Sequence, residues 1–338
     1  MFVSAPYAFA ALSLRMPSLN FDTFSKPERP DLVLGIDGGG TQTHAILAKR
    51  DTGEVIGRGL AGPSNIQAVG VETGLKALSE CIDRAFRDAN LAPSHVAAIC
   101  LGLAGIDWEG GLNIIHEWAE RNAIAARVTI ANDATLLLAA GTPEGWGLAV
   151  IAGTGSIAFV RDAAGKEGRC GGWGYLLGDE GSAYSIALQA LRAACRSFDG
   201  VNKPTALVER LKREMKLASM PEMIEAVYRG SWNRTAIAGL APAVLEIAAG
   251  GDVLALEIVK NEAEELARTA AGAVKTSELP RGSVPVALAG GVLTRSEAYR
   301  GYFLDALWME GIVAGPVDLV TDPALGAVKL ARLASGAA

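Results

Sequence analysis

Short apolar runs alternate with amphipathic stretches along this chain, and two of the runs open the same pattern. Leu32-Val-Leu-Gly-Ile36 predicts a buried strand that ends on Asp37-Gly-Gly-Gly-Thr41. Thr43–Ala48 resumes as a strand, Asp51-Thr-Gly53 turns, and Val55–Gly59 returns. Further on, Gly147-Leu-Ala-Val-Ile151 leads into Ala152-Gly-Thr-Gly-Ser156, Ile157–Arg161 resumes, Asp162-Ala-Ala-Gly165 turns, and a strand returns from Gly168. Thr41 to Gly53 spans 12 positions and Thr154 to Gly165 spans 11. Two three-strand meanders with the same glycine–threonine first turn predict a duplicated α/β fold with a cleft between its halves.

Helical spacing fills the intervals. Val71–Asn90 places Val71, Leu75, Leu78, Ile82 and Ala85 on one face and its charges on the other. His95–Leu103 reads as a buried strand, Glu109–Asn122 as a helix, and Arg127–Ala131 as a strand that ends at Asn132-Asp133. Ala134–Ala140, Ser182–Phe198 and Asp252–Thr276, the last capped by Asp252, read as helices. Val284–Ala289 is a further buried strand closed by Gly290-Gly291, and Ala324–Leu333 a last helix that packs back on the first half. In Phe2–Leu14 the chain is apolar but too short to span a bilayer, and no basic segment precedes it. We read residues 1–30 as an extension with Met16 as an alternative start, in preference to a signal peptide. Pro27 and Pro30 are expected to break any regular element there.

Composition narrows the function. With 50% hydrophobic and 20% charged residues the 338-residue chain is long enough for two cores. Its net charge of −6 speaks against a nucleic-acid surface. No later apolar run goes twenty residues without charges or glycines, which predicts a cytoplasmic protein away from membranes. Cys81, Cys100, Cys170 and Cys195 form no C-x-x-C pair, and His44, His95 and His116 are scattered, so neither residue type predicts a metal site. That leaves carboxylates to carry the chemistry.

Glycine turns between strands let backbone N–H groups approach a phosphate, because no Cβ intervenes. Gly38, Gly39, Gly40 and Thr41 suit one phosphate arm, and Gly153, Thr154, Gly155 and Ser156 the other. A P-loop string is absent. Gly153–Ala158 fits a dinucleotide fingerprint only formally, since strand follows where that motif requires helix. Asp37, at a strand end beside the first turn, suits Mg²⁺ directly or through water, or hydrogen bonds to the turn amides. Asp133, at another strand end, is placed to take a proton from a substrate hydroxyl or to cap the following helix. Asp107 reads as the cap of the next helix. Gly171-Gly-Trp-Gly174 with Gly178-Asp-Glu-Gly-Ser182 combines carboxylates with an exposed aromatic, a mixture that suits a sugar; Asn65 stands in a turn.

In this order, Asp37-Gly-Gly-Gly-Thr41, Asn132-Asp-Ala134, Gly153-Thr-Gly-Ser156, Gly171-Gly-Trp-Gly174, Gly178-Asp-Glu-Gly-Ser182 and Ala289-Gly-Gly-Val292 resemble the N-acetylglucosamine kinase family of the actin-like ATPase and sugar-kinase superfamily. The resemblance runs from about Leu32 to the C-terminus. It implies two duplicated actin-like, ribonuclease H-like domains, 31–141 with 324–338 and 142–323, closing on ATP, Mg²⁺ and an amino sugar. It further implies Asp133 as the base toward the 6-hydroxyl, and sugar contacts from Asn65, Ile66 (through its backbone), Ser156, Gly172, Trp173, Gly174 and Asp179. Nucleotide contacts would come from Thr41 and its glycines, Gly153, Thr154, Gly155, Ala238, Gly290, Gly291 and Val292. A homodimer is the expected assembly. N-acetylglucosamine is the expected substrate, with glucosamine and N-acetylmuramic acid as alternatives. Activator ATPases of 2-hydroxyacyl-CoA dehydratases and benzoyl-CoA reductase occupy the same branch, but they use cysteine ligands to an iron–sulfur cluster, and none stands in the Gly178–Ser182 region here. A non-catalytic sugar or nucleotide sensor is the alternative from another class.

Overall fold

A computed structural model describes residues 27–106, 109–230, 232–277, 279 and 282–337. Residues 1–26 of the expected extension, and Asp107 with its expected cap, lie outside the described residues. The first half comprises β1 (Glu28–Gly38), β2 (Thr43–Lys49), β3 (Val55–Ala61), α1 (Ile66–Val69), α2 (Val71–Asp88), β4 (His95–Leu103), α3 (Glu109–Arg121), β5 (Val128–Ala131) and α4 (Asp133–Gly141). There follow β6 (Gly147–Ala152), β7 (Ser156–Arg161), β8 (Glu167–Gly171), α5 (Ala183–Phe198), α6 (Leu207–Glu214), α7 (Glu222–Tyr228), α8 (Arg234–Ala238), α9 (Ala241–Ala249) and α10 (Val253–Val274). The chain ends with β9 (Ser283–Ala289), α11 (Gly291–Arg295), α12 (Glu297–Met309), β10 (Val313–Val320) and α13 (Ala324–Ala334).

The two sheets have one topology. Their strand orders are β3-β2-β1-β4-β5 and β8-β7-β6-β9-β10, with the first three strands of each antiparallel and the last two parallel to the central one. Period-two alternation assigns the faces. Leu32, Leu34 and Ile36 of β1 join a core with Leu75, Leu78 and Phe86 of α2, whereas Val33 joins Ala324, Val328 and Ala331 of α13. In the second sheet Leu148 and Val150 face α5, α9 and α10, and Ala149 faces α4. Helix α4 is apolar on all sides and is buried between the sheets, with Leu136 in the α13 cluster and Leu137 and Leu138 against Ala287 and Val320. The last helix does return to the first sheet.

Two expectations are corrected. Pro30 lies within β1 instead of breaking it. It falls where the β1–β4 register shifts between Arg29 and Val33, an irregularity that removes the need for the N–H proline lacks. The cap of α4 is Asn132, whose Oδ1 accepts Ala134 N at 2.9 Å, while Asp133 occupies the first helical position and its Oδ1 accepts the same N–H at 2.9 Å. Asp252 caps α10 as expected, accepting Ala255 N at 3.0 Å. Elements α1, α6–α9, α11, α12 and β10 lie outside the expectations. Among the described residues no single helix is long and apolar enough to cross a membrane.

Candidate active site

Strand β1 ends on Asp37 and Gly38, and Gly39 N donates to Gln42 O at 3.1 Å to close the turn around the exposed Gly40 and Thr41. Gly39 O accepts from Ser64 N (3.1 Å) and Asn65 N (3.3 Å), so the Asn65 segment is stitched to this turn. Asn65 also caps α1, its Oδ1 accepting Gln67 N and Ala68 N. Ile66 turns its side chain into the core, where 4% of it is exposed, and only its backbone can face a ligand.

Asp37 makes no side-chain hydrogen bond among the described residues. Burial, and then the charges of Asp133 and Asp322, push its carboxyl up to about 6. The charges of Asp133 and Asp322 are thus felt at Asp37. A cavity of about 270 Å³ opens here, lined by Asp37, Gly39, Gly40, Thr41, Thr321 and Asp322. Asp322 pairs with Arg58 through its Oδ2 at 2.5 Å, and its buried Oδ1 has no partner among the described residues. Among the described residues no three His, Cys, Asp or Glu side chains stand close enough to hold a metal ion by themselves. Mg²⁺ here would therefore rely on Asp37 and Asp322 together with water and phosphate oxygens, which the open glycine turn suits.

The second turn gathers the remaining candidates. Gly153 N donates to Gly155 O at 2.9 Å, and Gly153 O accepts Ala183 N at 2.8 Å, tying the turn to the start of α5. Gly290 packs on it so closely that a Cβ would overlap the Ala152 carbonyl, and its φ of +85° also demands glycine. A Cβ at Gly291 would meet open space, so this backbone is accessible, while the Val292 side chain is buried. Ser156 N donates to Asp179 Oδ1 (3.2 Å), Ser156 Oγ to Glu180 O (2.6 Å), and Gly172 N to Ser156 O (3.2 Å). Trp173 stands 67% exposed beneath the Arg169 guanidinium, beside Gly174. Thr154 is exposed at the turn's tip, and Ala238 is buried at the end of α8.

The structure thus gathers the candidates into two groups. Asp37, Gly38–Thr41 and Asn65 meet at the first turn, with Asp133 in electrostatic range, and Gly153–Ser156, Gly172, Asp179 and Gly290 form the second group. Among the described residues no hydrogen bond joins the two turns. Sequence reasoning missed Asp322, Arg234 and Glu262. Asp322 could have been found, because it follows β10 as Asp133 follows β5 in the repeated topology. Arg234 binds Asp179 from 55 residues away, and Glu262 binds Gly181 N across 81, separations that leave no local signal.

Residues 34–331 match the BadF/BadG/BcrA/BcrD ATPase family. The chain is 32% identical over 300 residues to the N-acetylmuramic acid/N-acetylglucosamine kinase of Clostridium acetobutylicum, spanning 89% of this chain and 98% of that protein. It is 30% identical over 318 residues to the N-acetyl-D-glucosamine kinase of Dictyostelium discoideum, again spanning 89% and 98%. A solved structure from Chromobacterium violaceum, described as a candidate N-acetylglucosamine kinase, aligns with TM-score 0.65 at 26% identity and covers 89% of this chain and 98% of that one.

Proposed function

The chain belongs to the BadF/BadG/BcrA/BcrD ATPase family, and from that premise we propose that it phosphorylates the 6-hydroxyl of an amino sugar with ATP, N-acetylglucosamine foremost. The observation that carries this reading is Asp133, at the N-terminus of α4 and in electrostatic range of Asp37 beside the first glycine turn. The dipole of α4 favours negative charge at that position. In the proposed reaction Asp133 orients the hydroxyl and accepts its proton as the oxygen bonds to the γ-phosphorus of ATP, while the bond from that phosphorus to the β,γ-bridging oxygen breaks and ADP leaves. The two glycine turns hold the triphosphate, with Gly290 and Gly291 toward the nucleotide. Asn65, Ser156, Gly172–Gly174 and Asp179 hold the sugar. Mg²⁺ at Asp37 would neutralise phosphate charge, and the rest of the catalysis is positioning.

The same reading takes 31–141 with 324–338 as one lobe and 142–323 as the other, in a cytoplasmic homodimer. An iron–sulfur activator role is disfavoured by the cysteines. Cys81 and Cys100 are fully buried, and burial pushes both thiols up to about 12.

The test is sugar-dependent ADP release across N-acetylglucosamine, glucosamine and N-acetylmuramic acid, with Asp133→Ala alongside wild type. Wild type should release ADP only with an amino sugar. The variant should bind that sugar within a few-fold of wild type while kcat falls about 10²–10⁴-fold. A folded variant with near-wild-type turnover would remove Asp133 from the role of base.

A further inference from the structure

Asp179 sits in an unusual position for a residue expected to accept from sugar hydroxyls. It is 3% exposed, its φ is +67°, and a left-handed backbone at a non-glycine residue stores strain. Both carboxylate oxygens already have a protein donor. Ser156 N reaches Oδ1 at 3.2 Å, and Arg234 Nη2 reaches Oδ2 at 2.7 Å. The guanidinium also rests on the second glycine turn: a Cβ at Gly155 would lie 2.6 Å from Arg234 Nη2 and 2.8 Å from Asp179 Oδ2. From the other side it stacks over the Tyr175 ring at 5.3 Å, and Tyr175 meets Tyr184 edge-on at 5.2 Å. Among the described residues the Nε of Arg234 is buried without an acceptor, a cost set against the pairing of its Nη2 with the buried Asp179 carboxylate.

We propose that Arg234 is the positioning residue of the sugar subsite, holding the Asp179 carboxylate in the orientation that receives substrate and bracing it against the second glycine turn. This rests on the amino-sugar reading above. Each Asp179 oxygen keeps a free lone pair after accepting one protein hydrogen bond, and the direction of those lone pairs is set by Arg234 and Ser156. Arg234 opens the same short helix that Ala238 closes. A shift of α8 at its nucleotide-facing end would therefore reach Asp179 through a charged, bidentate-capable side chain.

The experiment compares wild type, Arg234→Ala, Arg234→Lys, Asp179→Asn and the Arg234→Ala/Asp179→Asn double variant. Steady-state kinetics, calorimetric binding of N-acetylglucosamine and thermal melting are measured for each. Arg234→Ala should raise the sugar KM and Kd at least tenfold while kcat falls less than fivefold. Arg234→Lys should recover part of the affinity, because an ammonium can reach one oxygen but cannot stack on Tyr175. In the Asp179→Asn background, Arg234→Ala should add less than a further twofold, as expected when one residue acts through the other. Unchanged sugar affinity in folded Arg234→Ala, even with a lowered Tm, would make the residue merely structural and overturn the proposal. So would full additivity in the double variant. If Arg234→Ala does not fold, Arg234→Lys alone decides, and wild-type affinity there overturns it equally. Wild type that binds the sugar without phosphorylating it would sink the kinase reading and leave the Arg234 comparison intact through the binding arm. Wild type that binds no amino sugar would end both.

Discussion

At Asp37 burial and two like charges act together with no hydrogen bond to offset them, and the carboxyl rises from an ordinary 3.8 to about 6. A carboxylate raised in the folded state binds more protons there than in the unfolded chain between those two values. Stability is therefore lost as pH climbs from about 4 through about 6, and the whole cost is present above that. Asp37→Asn should consequently be more stable than wild type at pH 7–8, by at most about 3 kcal/mol. The advantage should shrink through pH 6 and vanish near pH 4. Melting curves of both proteins across this range check it, and an advantage over wild type no larger at pH 8 than at pH 4 would show that the strain is absent. Because a bound divalent cation would relieve the same repulsion, Mg²⁺ at pH 7 should raise the wild-type Tm more than that of the variant. Asp133 was legible at this scale because an aspartate directly after an apolar strand stands out. Its division of labour with Asn132 was not, since either side chain could cap the helix, and backbone angles decide which one does.

Helix α4 is the element on which both halves depend. Its sequence, Ala134-Thr-Leu-Leu-Leu-Ala-Ala-Gly141, has no polar stripe, which is a signature of burial on every side. Its partners could not be read from that. Helix α13 approaches so closely that a Cβ on Gly326 would overlap the Leu136 carbonyl oxygen, a backbone atom with no room to yield. Gly326→Ala should force the helices apart and destabilise the protein by about 1–3 kcal/mol in urea unfolding. An unchanged midpoint would mean the approach is looser than described. The converse case is Pro30, where a local rule predicted a break. The strand continues, because a register shift at that point removes the ladder bond proline cannot make.

Across the whole molecule, the two sheets are joined at 142–146, between α4 and β6, and at 321–323, between β10 and α13. Lys329 Nζ donates to the carbonyls of Thr142 and Pro143 at 3.2 Å, so α13 grips the first connection while it follows directly from the second. The proposed function needs the lobes to close on their substrates, and under that proposal these two short connections would serve as the hinge. Small-angle scattering should show a smaller radius of gyration with a non-hydrolysable ATP analogue and N-acetylglucosamine together than with neither. An identical curve would refute closure. The duplicated meanders, the glycine turns, most strands near the site and the aspartates at two strand ends were determined by the sequence alone. Those features are written in local periodicity, in the φ requirements of glycine and in the residue that follows an apolar run. Tertiary structure alone decided that Arg234 meets Asp179, that Glu262 grips Gly181, and that Asp322 adds its charge to Asp37 across 285 positions. Contacts between residues so distant in the chain depend on how the layers stack, and a burial pattern specifies that a face is covered without specifying by what.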